Sequence, residues 1–211
     1  MRDPLGRLRS VPLLLVALVT LALVATACDR GDGTTLRPPG VDGATPPPTV
    51  VTTTAVDPLE GVGTGFALRS SAFPPDGTIP ATYAHRPDGP DISPPLSWAN
   101  VPDGTVELAL VMTDPVADGF VHWVIWGLDP FQPGLFEAEV PAGAAQAVND
   151  YGEVGYGGPQ PPAGETHAYV FRLFALGEDT LDIPDGIDGR TVIPLLEAKA
   201  TAIAELTGLY P

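Results

Sequence analysis

Four stretches of the chain concentrate apolar residues between polar boundaries: Phe66 to Ser70, Val106 to Thr113, Val121 to Leu128 and Thr166 to Leu176. Each is flanked by Gly, Pro or Asp, which predicts β-strands. The last alternates, with His167, Tyr169, Phe171 and Leu173 on one face and Ala168, Val170, Arg172 and Phe174 on the other. Only Asp114 to Phe120 separates the start of the third run from the end of the second, so a hairpin is predicted that makes Asp114 and His122 neighbours. Near the C-terminus Val192, Leu195, Leu196, Ile203 and Leu206 share one side of a helical projection, with Pro194 in a first turn and Gly208 at the stop. The pattern predicts a mainly β domain with one or two appended helices, one of them C-terminal.

The N-terminal third reads differently. Arg2, Arg7 and Arg9 precede an apolar run from Val11 to Ala25, the layout of an export signal. The run is at the short end of what spans a bilayer, and it ends in Ala25-Thr26-Ala27-Cys28. That tetrad resembles the lipobox of bacterial lipoproteins, in which the Cys carries diacylglycerol. Two or three acyl chains, at about 0.8 kcal/mol per buried methylene, would make the anchoring effectively permanent. From Asp29 to about Gly63 the chain is Gly, Pro and Thr with almost no large apolar residues, including Pro46-Pro47-Pro48 and Thr52-Thr53-Thr54. Such a segment favours extended conformations of up to ~3.1 Å per residue and reads as a stalk. The expected organisation is a signal peptide over 1–27, a lipidated Cys28 and linker over 28–63, and one domain over 64–211. The protein is then exported and lipid-anchored, facing the periplasm or the extracellular space.

Composition narrows the function classes. The chain has 211 residues with Gly 24 and Pro 26, consistent with a turn-rich β domain of ordinary size. A single Cys rules out an intramolecular disulfide, so the fold stands on its core. The net charge of -16 would repel phosphate backbones, which argues against nucleic-acid binding. Within 64–211 the five cations Arg69, Arg86, Arg172, Arg190 and Lys199 face twenty carboxylates, so any anion site must be local.

The densest polar constellation is Asp114, His122, His167 and Tyr169, which the strand ends could bring to one edge of a sheet. A lone His beside an apolar strand is more often a core or rim residue bonded to backbone. Two such residues, each opening a strand after a turn-rich loop, weaken that reading. The loop before His167 holds Gly155, Gly157, Gly158, Pro159, Pro161 and Pro162, and rigid loops lined by N–H groups can cradle anions. A metal site from His122, His167 and Asp114 is the lesser reading, and no metal or other cofactor is expected. Catalysis finds thin support: there is no Gly-x-Ser-x-Gly elbow, no His-Glu-x-x-His, no Walker loop and no thiolate nucleophile in the domain.

Several motifs in order carry a resemblance. Gly89-Pro90-Asp91-Ile92-Ser93-Pro94-Pro95-Leu96-Ser97-Trp98, then Asp114-Pro115, His122-Trp123, Gly155-Tyr156-Gly157-Gly158-Pro159 with Pro161-Pro162, and His167-Ala168-Tyr169-Val170-Phe171 look like the phosphatidylethanolamine-binding protein family, in its bacterial Raf-kinase-inhibitor-like branch. The likeness runs from about Phe66 to Tyr210, and Ala204 to Tyr210 looks like that branch's C-terminal helix and tail. The resemblance implies a β-sandwich with a small pocket for phosphate-like groups, lined by Asp114, His122, Pro161, His167 and Tyr169. Departures are Val116 and Asp118 in the family's Asp-Pro-Asp-Ala-Pro motif, Asp91 where Asn is usual, His85 where Cys is frequent, and Ala168 where Arg is usual.

The leading expectation is a non-catalytic binding module for a small anionic ligand. In it His122 and His167 donate to an oxyanion, Asp114 orients His122, the amides of Gly157 and Gly158 complete the cradle, and Tyr169 adds a hydroxyl and a wall. Affinity should rise as pH falls through about 6.5, the ordinary imidazole range. The alternative is an interaction protein that inhibits a kinase, protease or wall enzyme, since family members are described as kinase or protease inhibitors.

Overall fold

The computed structural model describes residues 64–177 and 183–211. The signal segment, Cys28 and the stalk predicted from sequence lie outside the described residues. Strand β1 spans Ala67–Ser70, β2 Gly77–Thr78, β3 Leu96–Ala99, β4 Glu107–Asp114, β5 Phe120–Leu128, β6 Gly134–Leu135, β7 Ala145–Gln146 and β8 His167–Leu176. Helix α1, Gly189–Lys199, and strand β9, Ala200–Tyr210, complete the chain. A three-stranded sheet runs β1-β3-β6 and a six-stranded sheet β2-β9-β8-β4-β5-β7.

The two sheets close on one apolar interior. Leu68, Leu96, Trp98 and Leu135 from the small sheet meet Leu108, Leu110, Met112, Trp123, Ile125, Phe171 and Leu173 from the large one. Alternation sends Ala109 and Val111 of β4 to the opposite face, where they pack with Val121, Val124, Trp126, Phe174 and, from α1, Val192 and Leu196. Burying each of these branched or aromatic side chains contributes about 1.5–3 kcal/mol. Both faces of the central strands are covered, so β4 is buried along its whole length and reads as a continuous apolar run.

Helix α1 begins at an Asp188 cap whose side chain accepts from the amides of Arg190 (2.7 Å) and Thr191 (3.3 Å). The helix stops at Lys199, which corrects the sequence expectation in three ways. Residues 200–210 form a strand paired antiparallel along β8, with His167 opposite Tyr210 and Tyr169 opposite Gly208. Leu206 is therefore buried in the inter-sheet core, while Ile203 stays 46% exposed. Pro194 sits inside the helix rather than in its first turn, leaving the Arg190 carbonyl without the usual amide partner. Gly208 is no helix stop: a Cβ there would lie 2.6 Å from Ile79 and 2.8 Å from Phe73, so glycine lets those side chains pack against the sheet.

Two irregularities shape β5. Leu108 and Leu110 pair with Leu128 and Ile125, so β5 holds one extra residue around Gly127. Gly127 has φ +76° and gives its amide to the buried Glu107 carboxylate at 2.6 Å, and burial pushes the Glu107 pKa up. At the other end, Met112 pairs with Trp123 but Thr113 with Val121, so His122 is the unpaired residue of a second bulge. The bulge breaks the alternation and turns His122 toward the end of the sheet where β8 begins.

Candidate functional site

A cavity of about 110 Å³ opens at that end of the large sheet. Asp114 closes β4, Phe120 and His122 open β5, His167 and Tyr169 open β8, and Ala117, Tyr151 and the Gln160–Pro162 segment form the remaining wall. Its size suits a group of a few heavy atoms, well below the several hundred Å³ of a drug-sized pocket. Asp114, His122, Pro161, His167 and Tyr169 thus meet in one cleft.

Asp114 is 2% exposed and holds its own turn. Its Oδ1 accepts from the amides of Val116 (2.9 Å) and Ala117 (3.2 Å). The turn needs only those backbone donors, so it tolerates Val116, whose side chain is 65% exposed. Asp118 adopts φ +54°, a conformation closed to the Pro usual in the family resemblance. The second oxygen of Asp114 meets His167 Nδ1 at 2.5 Å. Sequence proximity pointed to His122 as the partner; the hydrogen bond goes instead across the β4–β8 pairing to His167.

The far nitrogen of the same ring, Nε2, meets the Glu165 carboxylate at 3.1 Å. With an acceptor on each nitrogen, both must carry protons, and the ring is an imidazolium. Accordingly the Asp114 and then the Glu165 hydrogen bond push the His167 pKa up. His122 behaves in the opposite way. Its Nδ1 donates to the Gly157 carbonyl at 2.8 Å, and burial pushes its pKa down. A neutral His122 with its proton on Nδ1 presents an unprotonated Nε2, an acceptor, and it donates through Nε2 only once charged. One cleft therefore holds one charged and one neutral imidazole.

Aromatic rings brace this pair. Tyr151 lies edge-on to His122 with centroids 5.6 Å apart, and Tyr169 does so at 5.1 Å. The Tyr151 hydroxyl donates to the Gly158 carbonyl at 3.1 Å. Tyr169 accepts from the Gln160 amide, yet burial still pushes both tyrosine pKa values up, so both hydroxyls keep their protons. On its outer side Tyr151 stacks against His85 at 3.8 Å and 6°. His85 Nδ1 meets Asp91 at 2.9 Å, and the other Asp91 oxygen accepts from the Gly158 amide at 2.7 Å.

That last contact overturns the expected amide cradle. The Gly158 amide is spent on Asp91 and the Gly157 amide on the His122 carbonyl at 2.8 Å, and neither residue lines the cavity. The glycines serve close packing instead. A Cβ on Gly158 would stand 2.2 Å from the Tyr83 carbonyl, and one on Gly157 2.6 Å from the Tyr151 ring.

Sequence reasoning missed Phe120, Tyr151, Gln160, Pro162 and Glu165. Only Glu165 had a legible signal, since two-residue alternation puts it on the His167 side of the chain. Among the described residues no group of three or more His, Cys, Asp or Glu could hold a metal ion. The two carboxylates on His167 take opposite ring nitrogens and accept their N–H hydrogen bonds.

Known proteins frame these observations. Residues 69–211 match the family model described as phosphatidylethanolamine-binding protein. The chain is 42% identical over 150 residues to a UPF0098 protein of Methanothermobacter thermautotrophicus, covering 68% of this chain and 97% of that one. It is 33% identical over 201 residues to the predicted lipoprotein LppC of Mycobacterium tuberculosis, covering 92% of this chain and 94% of that one. The crystal structure of Escherichia coli YbcL, described as a member of the mammalian PEBP family, superposes with a TM-score of 0.66 at 28% identity, covering 69% and 97% of the two chains. With the match spanning both sheets and every residue of the cleft, the chain belongs to the phosphatidylethanolamine-binding protein family.

Proposed function

We propose that this protein is an envelope lipoprotein, tethered through a diacylglycerol on Cys28, whose cleft binds a small anionic group of the phosphate or phospholipid-headgroup kind without transforming it. One observation carries this reading: His167 is held charged by a buried Asp114 while its second N–H points at an anionic oxygen, that of Glu165, at 3.1 Å. An oxyanion is thus the chemistry this nitrogen selects, in a domain that otherwise repels anions. The neutral His122 beside it presents an acceptor that can take a proton from a P–OH group, so the pair suits a partly protonated oxyanion. The cavity admits a headgroup-sized moiety and leaves acyl chains outside.

Titration calorimetry of the detergent-solubilised full chain with phosphate and with phosphoethanolamine tests the reading. Saturable binding that is lost in His167→Ala supports it; no binding of either probe contradicts it. Mass spectrometry of Cys28 and release of a Cys28→Ser variant from membranes test the anchor.

A second reading, an inhibitor that docks a partner's acidic side chain, draws on Phe131 and Phe136, which stand 92% and 79% exposed near β6. A pull-down from envelope extract that fails with Phe131→Ser and Phe136→Ser but survives His167→Ala would favour it.

A further inference from the structure

His167 is gripped by two carboxylates of unlike character. Asp114 is 3% exposed in its side chain, tied by two turn amides, and cannot leave. The Glu165 side chain is 59% exposed and its contact is the longer of the two, 3.1 Å against 2.5 Å. Its backbone is fixed, because the Glu165 amide donates to the Pro162 carbonyl at 3.0 Å, but that bond leaves the side chain free to turn outward. An exposed ion pair of this kind is weak and readily exchanged.

We propose that Glu165 is the cleft's built-in competitor: its carboxylate occupies the His167 N–H that an anionic ligand needs, and it thereby sets both affinity and charge selectivity. This inference rests on the anion-binding reading above. A ligand oxygen reaching Nε2 displaces Glu165, which remains two residues from His167 as a nearby negative charge. The residual repulsion doubles for a dianion relative to a monoanion at the same distance. Glu165 therefore disfavours dianionic monoesters and free phosphate and favours singly charged phosphodiesters, the charge state of a phospholipid headgroup. Among the described residues no arginine or lysine lines the cavity to offset it, and Arg172 and Arg190, on the helix face of the sheet, are paired with Glu197 and Asp150.

The test compares methyl phosphate, mainly a dianion at neutral pH, with dimethyl phosphate, a monoanion, on the full-length protein and its Glu165→Ala and Glu165→Gln variants by titration calorimetry. Glu165→Ala should bind methyl phosphate about tenfold tighter and dimethyl phosphate only about threefold tighter, with thermal unfolding nearly unchanged. Glu165→Gln, which keeps an acceptor but drops the charge, should retain the larger gain for the dianion. If the unsubstituted protein binds either probe and both variants bind it equally well or more weakly, Glu165 is no competitor and the inference falls. An equal gain for both probes removes the charge selectivity and overturns that half of it. Should no protein bind either probe, the anion site itself is wrong and this inference falls with it.

Discussion

Two buried aspartates in this molecule each hold the Nδ1 of a histidine, and they do different jobs. Asp114 meets His167 at 2.5 Å and Asp91 meets His85 at 2.9 Å. The first pair joins two strand ends of the large sheet, and its imidazole turns its second N–H toward the exchangeable Glu165 carboxylate. The second sits on the loop before β3; its carboxylate also holds the Gly158 amide, and its imidazole lies flat on Tyr151. One pair places charge where a ligand arrives, and the other fixes the wall behind it. The motif is therefore defined by what the second ring nitrogen faces, which acid and imidazole alone do not specify.

The comparison can be broken hardest at the wall. Gly158→Ala drives a methyl group into the Tyr83 carbonyl, with no side chain able to yield, and should cost about 3 kcal/mol or more by chemical denaturation. A cost below about 1 kcal/mol would mean the loop does not pack as described.

Asp114→Asn comes next. An Asn can keep the turn amides but no longer demands a charged His167, so stability should fall by about 2 kcal/mol and dimethyl phosphate affinity about tenfold. Unchanged affinity would remove Asp114 from the binding account.

The pH profile follows. His167 has a raised pKa, so its charge, and the anion affinity that depends on it, persists above about 6.5 and is lost as pH rises through the raised value. The stability from that contact has the same sign: fully present below the unfolded value and lost as pH rises through the folded one. His122, with a lowered pKa, adds affinity only at a pH below the ordinary range. Dimethyl phosphate, a monoanion throughout, should thus show two separated steps in place of the single step near 6.5 that two ordinary histidines would produce.

The smallest effect belongs to Asp91→Asn. The substitution keeps an oxygen for the Gly158 amide at a φ of +65° that Asn tolerates, and should cost about 1 kcal/mol or less with affinity within about threefold. A tenfold loss of affinity would erase the distinction between the two pairs.

Much of this architecture was legible as pattern. Strands β1, β4, β5 and β8 announce themselves as apolar runs between turn residues, and the alternation of β8 correctly puts His167 and Tyr169 on one face. The C-terminal tail misleads because Ile203 and Leu206 fall on the helical spacing begun by Val192 and Leu196. The alternation of Thr201, Ile203 and Thr207 with Ala202, Ala204 and Leu206 marks the strand instead, and pairing along β8 decides the matter. The bulge at His122 is invisible to any period-two count. So is the Asp114–His167 contact, which joins residues 53 apart in sequence. A glycine pair can serve amide donation or close approach; that Gly157 and Gly158 serve the latter depends on Tyr83 and Tyr151, which no local signal connects to them.

Nitrogen resonances of the His167 ring test the central claim most directly. The account predicts protons on both ring nitrogens at neutral pH, with Nε2 shifting on addition of dimethyl phosphate while Nδ1, on Asp114, stays nearly still. A singly protonated His167 at neutral pH, or an Nε2 indifferent to saturating dimethyl phosphate, would contradict it.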